Sequence, residues 1–366
     1  AQWAEGYRAA SRHGITLITH DGQFWKWRLD GGFVTMAEQV RAHVDEAGPP
    51  DVVVATSMLD LAGLLGLLRN ELAGVPSAVY LHENQITYPA TGRTRVEARH
   101  GLATWSSLLA ADGVAFNSAF HRNSVFEALP VFLRSFPDHR HDHLVGGVAS
   151  KTVVLPVGID LQRLDPPSVR GDGPPLVLWN HRWDPDKDPG SFLAAMSDLA
   201  GSGVEFRLAL TGERLALQGD EWDQAIARLG ERVVVAEHLD PAGYRDTLRQ
   251  ADIVVSTARQ EFFGVAVAEA MYAGAFPILP DRLVYPERLP AELHDRCLYT
   301  GRRRLAEHLR WAIGHIDEAR EIGARCRRLA MGYDWSVVAP QYDEWLEMIA
   351  AGQPIGGGGA PSAMVS

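Results

Sequence analysis

One stretch in the second half of the chain, residues 252–280, constrains the fold more than any other. Its sequence is DIVVSTARQEFFGVAVAEAMYAGAFPILP. The pattern predicts a strand over 252–257, a short loop, and a helix over about 265–273 that ends at Gly274, with a second apolar strand over 275–279. Strand, loop, helix and strand in this order form one turn of a parallel α/β sheet.

Two glutamates mark this stretch, Glu261 in the loop and Glu269 in the helix. Unpaired amides at the start of the helix, near Phe263, Gly264 and Val265, favour an anion, and a glycine lets a ligand approach the backbone. A phosphate there would leave Glu261 beside the group that the phosphate carries, and would leave Glu269 to accept hydrogen bonds from a ribose diol. The alternative is a helix with acidic residues that its dipole stabilises and that bind nothing.

The bulk composition bounds the class of protein. With 366 residues, 46% of them apolar and 22% charged, the chain predicts one or two globular domains. No apolar run is long enough to cross a bilayer. The two cysteines, Cys297 and Cys326, form neither a disulfide framework nor a zinc spacing, so we expect a reducing, cytoplasmic location.

The net charge of −11 argues against a general nucleic-acid binder. Phosphate contacts need clustered Lys and Arg side chains, so any such role requires a local basic patch. The chain also contains no G-x-G-x-x-G motif, which weighs against a dinucleotide dehydrogenase.

The front of the chain is unusual for a doubly wound domain. A helix is predicted over 1–13 and a strand over 15–19, with no strand before the helix, so we expect the first strand of this domain to be missing. Residues 21–32 then alternate rings and cations, with Trp25 and Trp27 interleaved with Lys26 and Arg28. Such a segment stacks on and clamps a nucleobase, or it forms a β-hairpin that buries one tryptophan.

A polar cluster follows the strand predicted over 77–81, with the sequence H-E-N-Q-I-T-Y-P at 82–89. Polar residues just past the carboxyl end of a strand lie where open α/β sheets bind ligands, although a structured turn is the alternative. The fifth residue is Ile86, which excludes an H-E-x-x-H zinc protease. Further on, the sequence F-P-D-H-R-H-D-H at 136–143 predicts a solvated loop rather than a metal site.

A second polar cluster follows the strand that starts at Leu176. Arg182 and Lys187 flank a tight turn and are suited to converge on one diphosphate, with a surface ion pair as the alternative. The aspartates of D-P-D-K-D-P at 184–189 imitate a D-x-D metal motif. Asp188 and the proline after it suit the cap of a helix over 190–200, so capping and turn roles explain these aspartates better than a metal site does.

Several of these motifs together resemble known enzymes. E-F-F-G-V-A with E-A-M-Y-A-G-A-F-P resembles the E-x7-E signature of retaining GT-B nucleotide-sugar glycosyltransferases. H-R-W-D-P-D-K-D-P, L-V-Y-P-E, Y-L-H-E-N-Q-I-T-Y-P, F-N-S-A-F, F-P-D-H-R and W-K-W-R are similar to the tRNA-queuosine mannosyltransferase family, from about residue 25 to 335. That family begins with a strand and a Gly-Gly-Ser-His loop, and the resemblance in this chain begins after them.

The resemblance implies an α/β fold of the GT-B class, in which two Rossmann-like doubly wound domains face each other across a cleft. The N-terminal acceptor-binding domain would cover residues 1–165, with part of the C-terminal helix. The donor-binding domain would cover 174–335, followed by a terminal helix at 336–350 and a glycine-rich, disordered tail at 351–366.

The implied reaction is transfer of mannose from GDP-mannose to a hydroxyl of the queuosine base in a tRNA anticodon loop, with retention and without a metal or other cofactor. The implied catalytic residues are His82, Arg182, Lys187 and Glu261. The implied donor-binding residues are Arg182, Lys187, Gly212, Glu213, His238, Leu239, Phe262, Phe263, Gly264, Val265 and Glu269. The implied acceptor-binding residues are Trp25, Trp27, Arg28, Glu83, Asn84, Gln85, Tyr88, Arg95, Arg99, Asn117, His139 and Arg140.

Two other functions stay open at this point. A related glycosyltransferase acting on a small molecule or glycan fits the acidic net charge better. A catalytically inactive protein that binds a sugar nucleotide or RNA is a third reading, and the intact set of Arg182, Lys187, Glu261 and Glu269 argues against it. No residue identifies guanine over uracil in the donor, and the oligomeric state is left open.

Overall fold

The computed structural model describes residues 2–20, 22, 24–87, 96–165, 170, 171, 173–213 and 221–355. Contacts divide the chain into two compact units. The first unit is Ala1–Gly158 together with Ser336–Ser366, and the second unit is Ile159–Trp335. In each unit the described strands form one parallel sheet, because helices separate consecutive strands and carry the chain back to the same edge. No helix in the described ranges is long and apolar enough to cross a membrane.

The first unit alternates helices and strands. Its elements are α1 (Gln2–Ala10), α2 (Trp25–Ala47), β1 (Val53–Thr56), α3 (Leu61–Leu67), β2 (Ser77–Leu81), α4 (Val96–Ala110), β3 (Gly113–Phe116), α5 (Ala119–Arg134), α6 (Val145–Ala149) and β4 (Thr152–Val154). The four described strands pair in chain order, β1-β2-β3-β4. Strands β2 and β3 are buried along their whole length, so their apolar residues form the core with α3, α4 and α5.

Two sequence expectations for this unit are wrong. Residues 15–19 form no strand, because a strand needs a neighbour for its backbone hydrogen bonds and the described residues offer them none. Residues 25–32 are the start of α2 rather than a β-hairpin. The alternation of W-K-W-R suggested period two, but Phe33, Ala37 and Val40 recur at helical spacing and pack on the core, and that longer pattern decides the structure.

The second unit begins at Ile159 and contains the larger of the two sheets. Its elements are β5 (Leu176–Trp179), α7 (Pro189–Gly201), β6 (Arg207–Thr211), α8 (Glu221–Leu229), β7 (Val233–Glu237), α9 (Pro241–Gln250), β8 (Ile253–Val255), α10 (Val265–Tyr272), β9 (Phe276–Pro280), α11 (His294–Cys297), β10 (Leu298–Tyr299), α12 (Gly301–Gly314) and α13 (Ile316–Ala330).

The strand order in this sheet is β10-β9-β8-β5-β6-β7. The direction of winding therefore reverses between β5 and β8, and open α/β sheets bind ligands outside the carboxyl ends of the strands at that point. The predicted strand, loop, helix and strand of residues 252–280 are confirmed as β8, α10 and β9. Gly274 ends α10 with φ of 92°, and the amide of Ala275 donates to the carbonyl of Ala270.

The last helix, α14 (Trp335–Ala350), packs mainly in the first unit and ties down α1. The buried carboxylate of Asp343 accepts hydrogen bonds from the Tyr7 hydroxyl at 2.6 Å, the Ser11 hydroxyl at 2.5 Å and the Arg12 amide at 3.0 Å. Residues 351–355 follow α14 and Ile355 is buried, whereas the rest of the predicted tail lies outside the described residues.

Substituting Asp343 should loosen the contact between α1 and α14. Asp343→Ala leaves the buried Tyr7 hydroxyl and the half-buried Ser11 hydroxyl without this acceptor, which should lower the free energy of unfolding by roughly 1–3 kcal/mol. The measurement is the apparent melting temperature by circular dichroism, with exposed Glu344→Ala as the control. Equal melting temperatures for the two variants would contradict the role of Asp343.

Candidate active site

The loops that follow β5 and β8 meet at the switch point of the second sheet. We call residues 180–188 the β5 loop and residues 256–264 the β8 loop. The Arg259 amide donates to the carbonyl of Asp186 at 2.7 Å, and the Thr257 hydroxyl donates to the carbonyl of Lys187 at 2.7 Å. The Lys187 ammonium donates to the carbonyl of Gln260 at 2.8 Å. These bonds fix the two loops against each other.

Glu261 and Lys187 form an ion pair at the centre of this junction, with Nζ and Oε2 3.3 Å apart. The other carboxylate oxygen of Glu261 accepts the amides of Phe262 at 3.1 Å and Phe263 at 3.3 Å. Burial acts to raise the pKa of Glu261, but the charge of Lys187, the ring of His181 and the Phe263 amide together lower the pKa below its ordinary value. Glu261 is therefore a carboxylate at neutral pH.

The two predicted diphosphate-binding cations differ in setting. The Lys187 side chain is 13% exposed and lies between Asp186 and Glu261, whereas the Arg182 side chain is 66% exposed and contacts Asp184 at 3.2 Å. Arg182 is thus free to move toward a ligand, and Lys187 is already fixed. Convergence of both on one diphosphate stays a prediction.

The aspartates near Lys187 have structural roles. Asp188 caps α7 by accepting the Ser191 amide at 3.3 Å and the Ser191 hydroxyl at 2.8 Å, as the sequence predicted. Asp184 and Asp186 lie in the ion pairs with Arg182 and Lys187. Across the described part of the chain, no group of three or more His, Cys, Asp or Glu side chains is arranged to hold a metal ion.

Gly264 forms the N-terminal boundary of α10 in a left-handed conformation, with φ of 86° and ψ of 51°. Among the described residues, the amides of Gly264 and Val265 have no hydrogen-bond acceptor, whereas those of Phe262 and Phe263 turn toward Glu261. These donors at the positive end of the helix dipole therefore remain for an anion, as the sequence suggested.

Glu269 is buried one turn into α10 and takes part in a network that the sequence did not reveal. Its carboxylate accepts hydrogen bonds from the Tyr244 hydroxyl at 2.9 Å and from the Arg163 guanidinium. The Asn180 amide donates to the Tyr244 hydroxyl at 3.1 Å. Burial raises the pKa of Glu269 even though Arg163 opposes the change. Each carboxylate oxygen keeps a second lone pair for a ligand hydroxyl, so the predicted ribose contact stays a prediction.

The other predicted donor-binding residues lie at the same sheet edge. Gly212, at φ of 131°, follows β6, and a side chain there would collide with the carbonyl oxygen of His181. The Glu213 carbonyl accepts the Trp183 amide at 3.0 Å, so both residues support the β5 loop. The exposed His238 and half-buried Leu239 follow the end of β7.

In the first unit, the predicted H-E-N-Q cluster is a turn that buried side chains support through hydrogen bonds. The Asn84 side chain accepts the Thr87 amide at 2.8 Å and donates to Nε2 of His121 at 3.0 Å. Nδ1 of His121 donates to Asn117 at 2.9 Å, and the Asn117 amide donates to the His82 carbonyl at 2.8 Å. Asn84 and Asn117 are therefore buried supports of the turn. His121, which lies four residues after Asn117, was missed by the sequence reasoning.

His82 and His121 are both neutral. Burial lowers the pKa of His121 to about 3 and that of His82 to about 4. The His82 ring lies edge-on to Trp3 at 4.8 Å and to Tyr80 at 4.7 Å, which fixes its orientation without a charge. The predicted catalytic role of His82 is thus limited to hydrogen bonding at neutral pH.

The remaining predicted acceptor residues are spread over the first unit. Trp27 is 67% exposed on α2, and a guanidinium nitrogen of Arg28 lies 3.4 Å from the His20 ring. Arg99 is exposed and paired with Asp30. Glu83 and Gln85 are half-buried in the H-E-N-Q turn, and His139 and Arg140 are exposed. Tyr88, Arg95 and the side chain of Trp25 lie outside the described residues.

Comparison with known proteins assigns the family. Residues 1–159 match the family described as tRNA-queuosine alpha-mannosyltransferase N-terminal, and residues 162–321 match glycosyl transferases group 1. The chain is 35% identical over 278 residues to a Drosophila melanogaster protein named tRNA-queuosine alpha-mannosyltransferase, covering 73% of this chain and 72% of the relative. The chain belongs to the tRNA-queuosine alpha-mannosyltransferase family.

The resemblance drawn from the sequence motifs is thereby confirmed, and this family member is a glycosyltransferase. A Xanthomonas oryzae protein named GDP-mannose:cellobiosyl-diphosphopolyprenol alpha-mannosyltransferase is 29% identical over 134 residues, covering 36% of this chain and 35% of the relative.

Solved structures confirm the two-domain parallel α/β fold. Sucrose-phosphate synthase from Thermosynechococcus elongatus has a TM-score of 0.70 at 17% identity, covering 96% of this chain and 92% of its own. The Anabaena protein HepE in complex with UDP has a TM-score of 0.63 at 19% identity, covering 86% of this chain and 82% of its own.

Removing the Lys187 charge should reverse the direction in which the pKa of Glu261 is shifted. In the wild type, the lowered pKa of Glu261 contributes stability above the unfolded-state value of about 4.3, and that stability is lost as pH falls. In Lys187→Met the largest effect that opposes burial is lost, so burial should raise the pKa of Glu261. The variant should be less stable at pH 7 by roughly 1–3 kcal/mol, between the values for exposed and buried pairs.

The measurement is the apparent melting temperature of wild type and Lys187→Met between pH 4 and 8, a range in which the ordinary carboxylate pKa lies at the acidic end. The difference in melting temperature between the two proteins should narrow toward pH 4, because protonation of Glu261 removes the unpaired charge. Arg310→Met, which removes an exposed cation of the second unit, is the control. A gap that stays constant with pH would show that Lys187 does not set the charge of Glu261.

Proposed function

We propose that this protein transfers mannose from GDP-mannose to the queuosine base of tRNA, with retention at the sugar and without a metal ion. The observation that carries the proposal is the Lys187–Glu261 pair at the switch point of the second sheet, beside the Gly264 and Val265 amides, which have no acceptor among the described residues. The name of the Drosophila relative supports queuosine in tRNA as the acceptor. This acceptor also favours a cytoplasmic location.

GDP-mannose is the donor that the relatives favour. The two Xanthomonas proteins that match part of this chain carry GDP-mannose in their names. In the transfer, the bond between the mannose anomeric carbon and the phosphate oxygen breaks, and a queuosine hydroxyl oxygen forms the new bond. The hydroxyl proton passes to the departing phosphate, so GDP leaves as the diphosphate.

The second unit stabilises the charge that develops on GDP. Lys187, Arg182 and the amides of Gly264 and Val265 provide donors for the diphosphate, which is electrostatic catalysis. The ionised Glu261 lies beside Lys187 and accepts hydroxyl groups of the sugar, while Glu269 accepts the ribose diol. In the first unit, neutral His82 is assigned to the transfer step as a hydrogen-bonding group.

Two cations at the diphosphate replace the charge that a divalent metal would supply. On this basis we propose that transfer proceeds without magnesium or manganese. The alternative acceptor, a small molecule or glycan, is favoured by the net charge of −11, since only a local basic surface on the first unit can hold tRNA.

The test is incubation of the protein with GDP-mannose and queuosine-containing tRNA, followed by mass spectrometry of the nucleosides. We expect a hexose on queuosine, no product on the same tRNA carrying guanine instead, and undiminished yield in EDTA. Comparing GDP-glucose with GDP-mannose tests the selectivity for the sugar, and comparing UDP-glucose with GDP-glucose tests the selectivity for the nucleotide base. Absence of product with the queuosine tRNA overturns the acceptor, and EDTA sensitivity that magnesium restores overturns the metal-free mechanism.

Arg182→Ala should weaken binding of GDP-mannose and slow transfer by about two to three orders of magnitude, the scale for loss of one charge-stabilising group. Its side chain is largely exposed, so the melting temperature should stay near the wild-type value. Calorimetry and single-turnover rates measure the two effects. Arg303→Ala, which removes an exposed arginine on α12, is the control, and equal rates for both variants would place the diphosphate elsewhere.

Arg99→Glu should raise the Kd for tRNA while leaving GDP-mannose binding unchanged, and Arg95→Glu should do the same. Phosphate contacts also make the affinity fall with salt, by roughly one unit of logarithmic slope per contact. Trp27→Ala should reduce discrimination for queuosine, because stacking on an aromatic ring contributes about 1–3 kcal/mol per base. Filter binding over a salt series measures these effects, with exposed Arg41→Glu as the control.

If tRNA affinity responds neither to salt nor to these variants, the nucleic-acid surface is not the one proposed. Binding of tRNA that is lost equally in Arg41→Glu would indicate a general effect of negative charge rather than a contact at Arg99.

A further inference from the structure

Arg288 is a buried arginine without an acidic partner. It directly follows the L-V-Y-P-E motif at 283–287, which the proposed function leaves unused. The residue is 8% exposed, and within the described ranges no carboxylate lies within ion-pair distance of its guanidinium. A buried charge without a counter-charge is costly, so its neighbours must stabilise it by other means.

Those neighbours belong to the β8 loop and to the segment after α13. The Arg288 guanidinium lies 4.0 Å from the centre of the Phe263 ring and 5.1 Å from that of Tyr333. Nε donates to the Phe263 carbonyl at 3.0 Å, and Nη1 donates to the Tyr333 hydroxyl at 3.0 Å. The two rings also pack edge to face, 5.2 Å apart. Arg288 thus holds both the ring and the carbonyl of Phe263.

The Phe263 carbonyl and the Gly264 amide are two ends of one peptide group. In a planar trans peptide, the C=O and N–H bonds point in opposite directions. Arg288 binds the carbonyl on the buried side, so the Gly264 N–H points the other way. That N–H belongs to the described amides at the start of α10 that have no acceptor.

The same contact changes the strength of the amide as a donor. A charged donor on a carbonyl polarises the peptide, and hydrogen bonds in series strengthen one another. The guanidinium therefore makes the Gly264 N–H a better donor to an anion than an isolated helix amide. The Nη2 nitrogen of Arg288 is buried without a hydrogen-bond partner, so the guanidinium charge is only partly compensated.

We propose that Arg288 is a positioning residue of the donor site, which aims and polarises the Gly264 amide toward the diphosphate of the nucleotide sugar. The proposal deepens the proposed function and rests on it for the assignment of the diphosphate. Arg288 itself touches the loop and not the ligand, so its effect passes through the Phe263–Gly264 peptide.

The test compares Arg288→Met, which loses charge and hydrogen bonds, with Arg288→Lys, which keeps the charge but lacks the planar fork. The probes are GDP, UDP and inorganic pyrophosphate, measured by calorimetry. We expect Arg288→Met to bind all three about 10-fold more weakly or worse, and kcat with GDP-mannose to fall by about 10–100-fold, near the lower limit for losing one donor to a developing charge. Arg288→Lys should recover part of both.

A matched control separates positioning from loss of stability. Arg320→Met also removes an arginine of the second unit, one that donates to the buried carboxylate of Asp252 at 3.0 Å, away from the β8 loop. Melting temperatures are recorded for every variant. If Arg320→Met loses diphosphate affinity to the same extent as Arg288→Met, or if Arg288→Met binds as the wild type does, the proposal is overturned.

A gentler variant covers the case in which Arg288→Met does not fold. Tyr333→Phe removes only the hydroxyl that accepts Nη1 of Arg288, and we expect it to weaken GDP and UDP binding by the same small factor, about threefold. No change for Tyr333→Phe would then count against the proposal.

The outcomes also distinguish this proposal from the proposed function. If the Arg288 variants lose affinity for every diphosphate while the wild type leaves queuosine tRNA unmodified, the acceptor assignment fails and Arg288 keeps its role. If the wild type mannosylates the tRNA and the Arg288 variants bind GDP normally, the acceptor assignment stands and the role proposed for Arg288 fails.

Discussion

The ion pair between Lys187 and Glu261 joins the two loops on which the second unit's site depends. Lys187 comes from the β5 loop and Glu261 from the β8 loop, and the pair neutralises two charges where burial would otherwise disfavour both. The Arg259 amide and the Thr257 hydroxyl, which donate to the carbonyls of Asp186 and Lys187, then hold the loops in one arrangement. The arrangement of the two loops is therefore set by contacts within the protein, which would reduce the ordering that ligand binding requires.

Burial keeps three histidines neutral, one near the edge of the second unit's sheet and two near the edge of the first unit's sheet. Burial lowers the pKa of His181 to about 4, as it does for His82 and His121, with a further contribution at His181 from the Lys187 charge. These rings orient loops and hydrogen bonds without titrating near neutral pH. The charge state of the described site is thus set by Glu261, Glu269 and the cations around them.

The fold and part of the site could be predicted because their signals are local. Residues 252–280 show strand and helix periodicity, a glycine stop and the spacing of Glu261 and Glu269, all within one stretch of sequence. Arg163 and Arg288 act from positions distant in sequence from the residues they contact, and no local pattern distinguishes them from surface arginines. The prediction for residues 25–32, at the start of α2, failed for a related reason. The four residues W-K-W-R alternate with period two, whereas the apolar residues after them follow the helical period that decides the structure.

The contact between Tyr7 and Asp343 joins residues that are 336 positions apart, within a unit whose sequence is interrupted by the whole of the other. During synthesis, the second unit has all of its residues available once Trp335 has left the ribosome. The first unit lacks α14 until residues 335–350 have also been synthesised. Its early helices and strands are made first, yet the buried face that receives Tyr342 and Asp343 stays uncovered until α14 has been synthesised. The order of synthesis and the order in which the units can close are therefore opposite in this protein.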